Sequence, residues 1–414
     1  MARQVLLGDE AVALGAVHAG LSTAYSYPGT PASEIMEFLI RLAEKEGGFK
    51  ATWSVNEKVA YEEALGASFA GKRAMVSFKH VGLNVAADPF MNSAMTGANG
   101  GLVVVSADDP GMHSSQNEQD SRFFARFAQV LCFEPSDHQE CYDMSRQAFD
   151  ISEALGLPVL IRLVTRLSHS RSSVETREPR PQNGLSTGDW KDWTLLPGNA
   201  RRRFRLLLER QAEMARLAEE SPANALSLNE KDRSLGVIAA GIAANYFREA
   251  TAKGGISPSF LKVSTYPLPA NLVRKLVDHV GTILVLEDGY PLIEKELQGF
   301  FGIPGKKVLG RLTGTLPASG ELEPDIVRKA LGLAPLAAHD PSGVPLAGRP
   351  PQLCVGCPHA DTFKALNKAR EGYPGASVFS DIGCYTLGAL PPYNAIQSCV
   401  CMGASVGMAR GASD

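Results

Sequence analysis

At 414 residues the chain exceeds one ordinary core and predicts two or three domains. With 44% hydrophobic and 21% charged residues it reads as a globular protein, and a net charge of −3 supplies no electrostatic reason to expect nucleic acid or an acidic membrane surface as partner. No stretch carries the roughly 18 unbroken apolar residues of a membrane helix, and Asp9 and Glu10 interrupt an N-terminus whose apolar spacing is helical, so the expected location is cytoplasmic.

Strand and helix patterns then alternate. "STAYSYP" predicts a strand, "ASEIMEFLIRLAEKEG" a helix, "ATWSV" a strand, "NEKVAYEEALGASFAG" a helix and "RAMVSF" a strand; "LVVVSAD" and "VLCFEP" follow, then a helix through "DHQECYDMSRQAFDISEALG" and the strand "PVLIRLV". This is the pattern of a parallel α/β sheet. The polar corners "YPGTP", "FKHVGLN" and "SADDPGMHSSQNEQDSR" each leave a predicted strand. Ligands bind at the carboxyl ends of such strands, so the corners predict a site along one sheet edge. In the first corner Pro28 and Pro31 fix φ while Gly29 permits a close approach, which holds the Thr30 hydroxyl in place. A plain strand-to-helix turn with Ser33 as N-cap is the alternative.

From about Ser168 to Gln182 the apolar period stops, and a linker is expected. The helix "ARRRFRLLLERQAEMARLAEE" follows, its arginine run read as a solvated face. "SLGVIAAGIAANYFREA", "FLKVSTYPLP", "ANLVRKLVDHV" and "GTILVLEDGYPLIEKELQGF" predict a second α/β unit, whose glycine turn lacks GxGxxG and is read as packing. The expected divisions are 1–167, a linker and charged helix at 168–232, a domain at 233–336, a Pro/Gly-rich linker at 337–351 and a last unit at 352–414. Of seven cysteines, Cys354, Cys357, Cys384, Cys399 and Cys401 fall in that last unit, which argues for local metal or cluster chemistry over a spread disulfide framework. "CVGC" by itself suits zinc, a redox pair or an iron–sulfur ligand pair alike.

Taken in order, "LLGDEAVALGAVHAG", "YSYPGTPASEI", "NEKVAYEEALGASFAGKRAMVSFKHVGLNVAADP", "CVGCPHADTF", "SDIGCYTLG" and "CMGASVGMARG" resemble the alpha subunits of indolepyruvate:ferredoxin oxidoreductase, thiamine diphosphate enzymes of the 2-oxoacid:ferredoxin oxidoreductase superfamily. The resemblance implies an α/β parallel-sheet thiamine diphosphate-binding fold: a pyrimidine-binding domain, a transketolase C-terminal-like domain and the start of a pyrophosphate-binding domain. It implies oxidative decarboxylation of aryl pyruvates to aryl-acetyl-CoA, with ferredoxin as electron acceptor. Thiamine diphosphate, Mg2+ and a [4Fe-4S] cluster are the implied cofactors. A smaller beta subunit, ferredoxin, CoA and an aryl 2-oxoacid are the implied partners, in a dimer of heterodimers.

The resemblance also implies roles for single residues. Thr30 lies beside the thiamine and the substrate carboxylate. Glu57 hydrogen-bonds the pyrimidine nitrogen opposite the group that takes the C2 proton, a task for a buried glutamate of raised pKa. Read without the family, Glu57 merely complements a helix N-terminus, and Glu62 and Glu63 are rivals that fit the family position less well. Lys79, His80 and Asn84 adjoin the cofactor, as does Gly383 of the "IGC" turn; His113, Ser114, Gln116 and Asn117 line the substrate entrance. Cys354, Cys357 and Cys384 are the implied cluster ligands, while Cys399 and Cys401 read as a buried strand and the start of a helix. The family's "GD-S" magnesium segment and its fourth cluster cysteine do not occur in these residues, so Mg2+ ligands are expected outside the chain and a truncated or split member, inactive alone, is expected. Two other readings stand beside this one: a non-catalytic or split subunit lending half a thiamine site to a partner chain, and a zinc-binding α/β protein using the late cysteines.

Overall fold

The computed structural model describes residues 3–336 and 351–413. They fall into two compact units, residues 1–336 and 337–414. Of the expected linker at 337–351, all but the last residue lies outside the described residues.

The first unit opens with β1 (Arg3–Leu7), α1 (Gly8–His18), β2 (Thr23–Ser26), α2 (Ser33–Glu46), β3 (Lys50–Trp53) and α3 (Glu57–Phe69). It continues with β4 (Ala74–Lys79), α4 (His80–Val85), α5 (Ala87–Thr96), β5 (Leu102–Asp108), α6 (Ser121–Ala128), β6 (Cys132–Phe133), α7 (His138–Leu155), β7 (Val159–Val164), α8 (Thr165–His169) and β8 (Arg171–Glu175). Strands β4, β5 and β7 are buried along their whole length, which is why they read as near-continuous apolar runs. They sit at the centre of a sheet ordered β6-β7-β5-β4-β2-β3, all parallel. Register pairs Lys79 with Ala107 and Asp108 with Val164, so the carboxyl ends of β4, β5 and β7 finish side by side. Helix α7, capped by Asp137 accepting from the Glu140 amide at 2.9 Å, lies so close to α1 that a Cβ at Gly15 would meet the Tyr142 carbonyl at 2.4 Å.

Three expectations are corrected here. "FKHVGLN" is not a loop: β4 runs straight into α4 at His80, and Gly82 in mid-helix hides the short helical signal. The stretch from Ser168 to Gln182 is not all linker, because β8 pairs antiparallel with β1. Only Val174 of β8 is buried, too little for an apolar period to register. "FLKVSTYPLP" is not one strand but two, and they belong to different sheets.

The remainder of the first unit holds α9 (Trp190–Trp193), α10 (Pro197–Glu220), β9 (Leu226–Ser227), β10 (Leu235–Ala240), α11 (Ala243–Ala252), β11 (Ser259–Val263), β12 (Thr265–Tyr266), α12 (Ala270–His279), β13 (Thr282–Leu286), α13 (Leu292–Gln298), β14 (Lys307–Leu309) and α14 (Pro324–Ala330). Five of these strands form a second sheet, β14-β13-β10-β11-β9. After β11 the chain crosses at Ser264, and β12 pairs antiparallel with β6 at the far edge of the first sheet, which thereby has seven strands. The glycine turn after β10 serves packing: a Cβ at Gly241 would meet Glu134 Cγ at 2.6 Å. On α10, Arg201, Arg202 and Arg205 face solvent, while Arg203 donates to the carbonyls of Met95 and Thr96 at 2.9 and 2.8 Å.

The second unit contains α15 (Pro358–Arg370), β15 (Phe379–Ser380), a 3-10 turn at Cys384–Ala389, β16 (Ser398–Cys399) and α16 (Ala404–Ser413), around a small core of Phe363, Ala395 and Ile396. Cys399 lies on a strand as expected, although it is only half-buried. No helix among the described residues is long and apolar enough to cross a membrane.

Candidate active site

Because β2, β4 and β5 are neighbours in the first sheet, the segments leaving their carboxyl ends converge. The first corner, after β2, presents an exposed Thr30. The second is anchored to it: the Lys79 stem lies against Gly29, where a Cβ would come within 3.2 Å of Lys79 Cβ. Lys79 Nζ donates to the Ser114 carbonyl at 2.7 Å, and Ser114 Oγ donates to the Thr30 carbonyl at 3.3 Å. All three corners are thus stitched together. The third is held by Asp109, which accepts from Ser114 N at 2.8 Å, Ser115 Oγ at 2.5 Å and Thr165 Oγ1 at 2.7 Å. Burial opposes the Asp109 charge, but those hydrogen bonds and Lys79 outweigh it and hold the carboxyl below its usual range.

Glu57 reaches α4 from α3. Asn56 caps the helix, accepting from the Val59 amide at 2.9 Å, and so fixes Glu57 in the first turn. Its side chain is turned inward, 3% exposed, and rests on α4 at Gly82, where a Cβ would come within 2.7 Å of Glu57 Cγ and 2.9 Å of Oε1. Glu57 Oε2 is buried with no hydrogen-bond partner, and burial pushes the carboxyl above its usual pKa. His80, at the start of α4, is buried with neither ring nitrogen partnered. Burial first, then the Lys79 charge, pushes its pKa down to about 4, so the ring is neutral at physiological pH. Three buried polar atoms on two neighbouring elements therefore lack partners that native proteins normally supply. A ligand with polar ring atoms would complete them.

The other expected residues are placed less centrally. Asn84 is exposed one helical turn beyond His80. His113 is exposed and meets Glu321 Oε2 at 3.2 Å, while Gln116 and Asn117 are exposed on the loop after β5. Glu62 and Glu63 are exposed, engaged by Lys58 at 3.8 Å and by the Ser54 hydroxyl respectively. In the second unit, Gly383 precedes the 3-10 turn and its amide donates to Thr386 Oγ1 at 3.2 Å. Cys354 and Cys384 are exposed, and Cys357 Sγ lies 3.2 Å from His359 Nδ1. Among the described residues, these cysteines are not drawn into a metal-sized group; Asp9, Glu34 and His169 are.

Gly82 and Asp109 escaped the sequence reading. Both lie inside quoted corners, but only the folded contacts with Glu57 and with the loop distinguish them from their neighbours.

Residues 14–191 match the family described as "Pyruvate flavodoxin/ferredoxin oxidoreductase, thiamine diP-bdg". Over 420 residues the chain is 42% identical to the indolepyruvate oxidoreductase subunit IorA of Methanothermobacter thermautotrophicus, covering 99% of this chain and 68% of that one. The IorA subunit of Archaeoglobus fulgidus is 40% identical over 426 residues, covering 98% and 67%. A solved 2-oxoglutarate:ferredoxin oxidoreductase from Magnetococcus marinus superposes with a TM-score of 0.64 over 80% of this chain and 65% of that chain; at 17% identity the likeness concerns the fold.

Proposed function

The chain belongs to the IorA family of indolepyruvate oxidoreductase subunits, and from that premise we propose that it forms the pyrimidine-side half of a thiamine diphosphate site for the oxidative decarboxylation of aryl pyruvates. The products are aryl-acetyl-CoA, carbon dioxide and electrons for ferredoxin. The chain spans about two thirds of the length of these relatives.

The observation that carries the reading is the buried, unpartnered Glu57 Oε2 at the meeting of α3 and α4. When bound, thiamine diphosphate supplies the carbon nucleophile and the electron sink for loss of carbon dioxide. Glu57, its pKa raised by burial, holds a proton at Oε2 toward a pyrimidine nitrogen and so selects the tautomer. Gly82 leaves the space that this carboxyl occupies. His80, at the start of the helix that Glu57 rests on, is a neutral ring. Thr30 and Lys79, tied together through Ser114, orient the substrate carboxylate at the mouth. Cys354, Cys357 and Cys384 are the proposed cluster thiolates, and a smaller beta subunit and ferredoxin are the proposed partners.

The test is Glu57→Gln in the enzyme assembled with its smaller subunit and supplied with thiamine diphosphate and Mg2+. Indolepyruvate-dependent viologen reduction should fall by about a hundredfold or more, while calorimetry shows thiamine diphosphate still bound. Turnover within about tenfold of the unchanged enzyme rejects the role of Glu57. Comparing indolepyruvate with pyruvate and 2-oxoglutarate tests the aryl preference: equal turnover on all three removes it.

A further inference from the structure

We propose that Asp9, Glu34 and His169 form a binding site for one divalent transition-metal ion, built from residues other than Glu57 and His80. Three chain segments meet there: the first turn of α1 brings Asp9, the first turn of α2 brings Glu34, and the end of α8 brings His169. One ligand atom from each lies within 4.8 Å of the other two. Glu34 Oε1 and His169 Nε2 are 3.3 Å apart, and two donors each about 2.1 Å from a shared ion lie roughly 3.0 to 3.4 Å apart.

That contact alone is an ordinary ion pair. Asp9 makes the difference, because it is completely buried and neither of its carboxylate oxygens has a partner. Glu34 Oε2 is unpartnered as well, and so is the buried Ser168 Oγ. A carboxylate taken wholly out of water must be matched by a cation or hold a proton. The neighbouring Glu10 is spoken for, since its Oε2 accepts from the Leu7 amide at 2.9 Å.

The donors are also held in advance. A Cβ at Gly8 would sit 2.2 Å from the Leu167 carbonyl, so the start of α1 is pressed directly on α8. Glu34 and His169 are each about one-third exposed, at 33% and 35%, which leaves a route for the ion and room for water ligands. Two carboxylates and one imidazole, without thiolate, suit Mn2+, Fe2+ or Zn2+ rather than Cu(I) or an iron–sulfur cluster. An all-oxygen shell would be expected for Ca2+. Because α2 begins directly after the Thr30 corner, an ion on Glu34 would brace that corner against α1 and α8.

The experiment uses the full chain, stripped with chelator and free of thiamine diphosphate, titrated with Mn2+ while free Mn2+ is followed by electron paramagnetic resonance. One saturable ion per chain is expected, with binding weakened by about tenfold to a hundredfold or more in Asp9→Asn and in His169→Ala. With the exposed cysteines alkylated, Co2+ should give a visible spectrum lost in His169→Ala and lacking the intense near-ultraviolet band of a thiolate complex. Absence of stoichiometric Mn2+ and Co2+ binding overturns the proposal, as does binding equal in the unchanged protein and both variants. Should Asp9→Asn fail to fold, His169→Ala and Glu34→Gln decide by the same readout.

Discussion

At the seam between the two sheets of the first unit, Arg122 and Arg162 are buried with their charge matched on every side. Arg162 donates to Asp108 at 2.5 Å, Glu134 at 2.5 Å and the Asp288 carbonyl at 2.7 Å; Arg122 donates to Asp120 at 2.9 Å, Glu287 at 2.9 Å and the Tyr290 carbonyl at 2.8 Å. Glu57 and His80, near the end of β4, are as deeply buried, yet Glu57 Oε2 and both nitrogens of His80 have no partner. Burial is common to both regions; satisfaction is not. Buried arginines whose donors are matched spend their polarity on holding two sheets in one register, whereas unpaired buried groups leave polarity open to a ligand.

The comparison can be broken most severely at the seam. Arg162→Met removes a cation that Asp108 and Glu134 share, leaving both carboxylates buried against the loss, and should cost about 3 to 5 kcal/mol of stability. Urea denaturation checks it, and a midpoint within error of the unchanged protein would mean the network is ornamental.

In the pocket the cost should appear in activity instead. Gly82→Ala puts a Cβ within 2.7 Å of Glu57 Cγ, and a shift of that carboxyl by about 1 Å should lower turnover on the order of a hundredfold. Circular dichroism should show the fold retained; unchanged turnover would mean that Glu57 tolerates displacement.

His80 sharpens the contrast through pH. Its folded pKa of about 4 lies below the usual 6.5, so the stability it contributes is fully present above pH 6.5 and is lost as pH falls toward 4. Relative to His80→Asn, the unchanged protein should lose about 2 kcal/mol between pH 7.5 and pH 5. Denaturation curves for the two proteins running parallel across that range would show that the ring is not held neutral.

The smallest effect concerns Glu57 and stability. Its pKa is raised by burial, so its contribution is present below the ordinary 4.5 and fades as pH rises through the folded value. Glu57→Gln, the variant expected to lose turnover, should therefore unfold at an equal or slightly higher temperature at pH 8, with the difference vanishing at pH 4. A clear loss of thermal stability at pH 8 would place Glu57 with the seam residues, as structure rather than site.

The placement of the polar corners was legible because its signals are local. The strand "LVVVSAD" is β5 residue for residue, and the polar corners after β2, β4 and β5 announce themselves by following apolar runs. Glu57 stood out only with the family resemblance beside it, since an acidic residue after an Asn cap is what any helix start prefers. The seam was not legible at all. Arg162 sits in "PVLIRLV" and Arg122 in "DSRFFARFA", and nothing within either segment says that a partner stands 28 or 165 residues away.

What the sequence by itself determined is the succession of strands and helices, the edge at which polar residues gather, and the family to which those residues conform. Those follow from interactions between residues two to four positions apart, where periodicity, caps and turn residues act. Only the tertiary structure decided that β12 leaves its own sheet to pair with β6, that Gly82 is the floor beneath Glu57, and that Asp9, Glu34 and His169 meet. Such contacts depend on which surfaces are pressed together after the sheets form. Their energies come from excluded volume and from desolvated charge, quantities that a segment does not possess until its neighbours in space are in place.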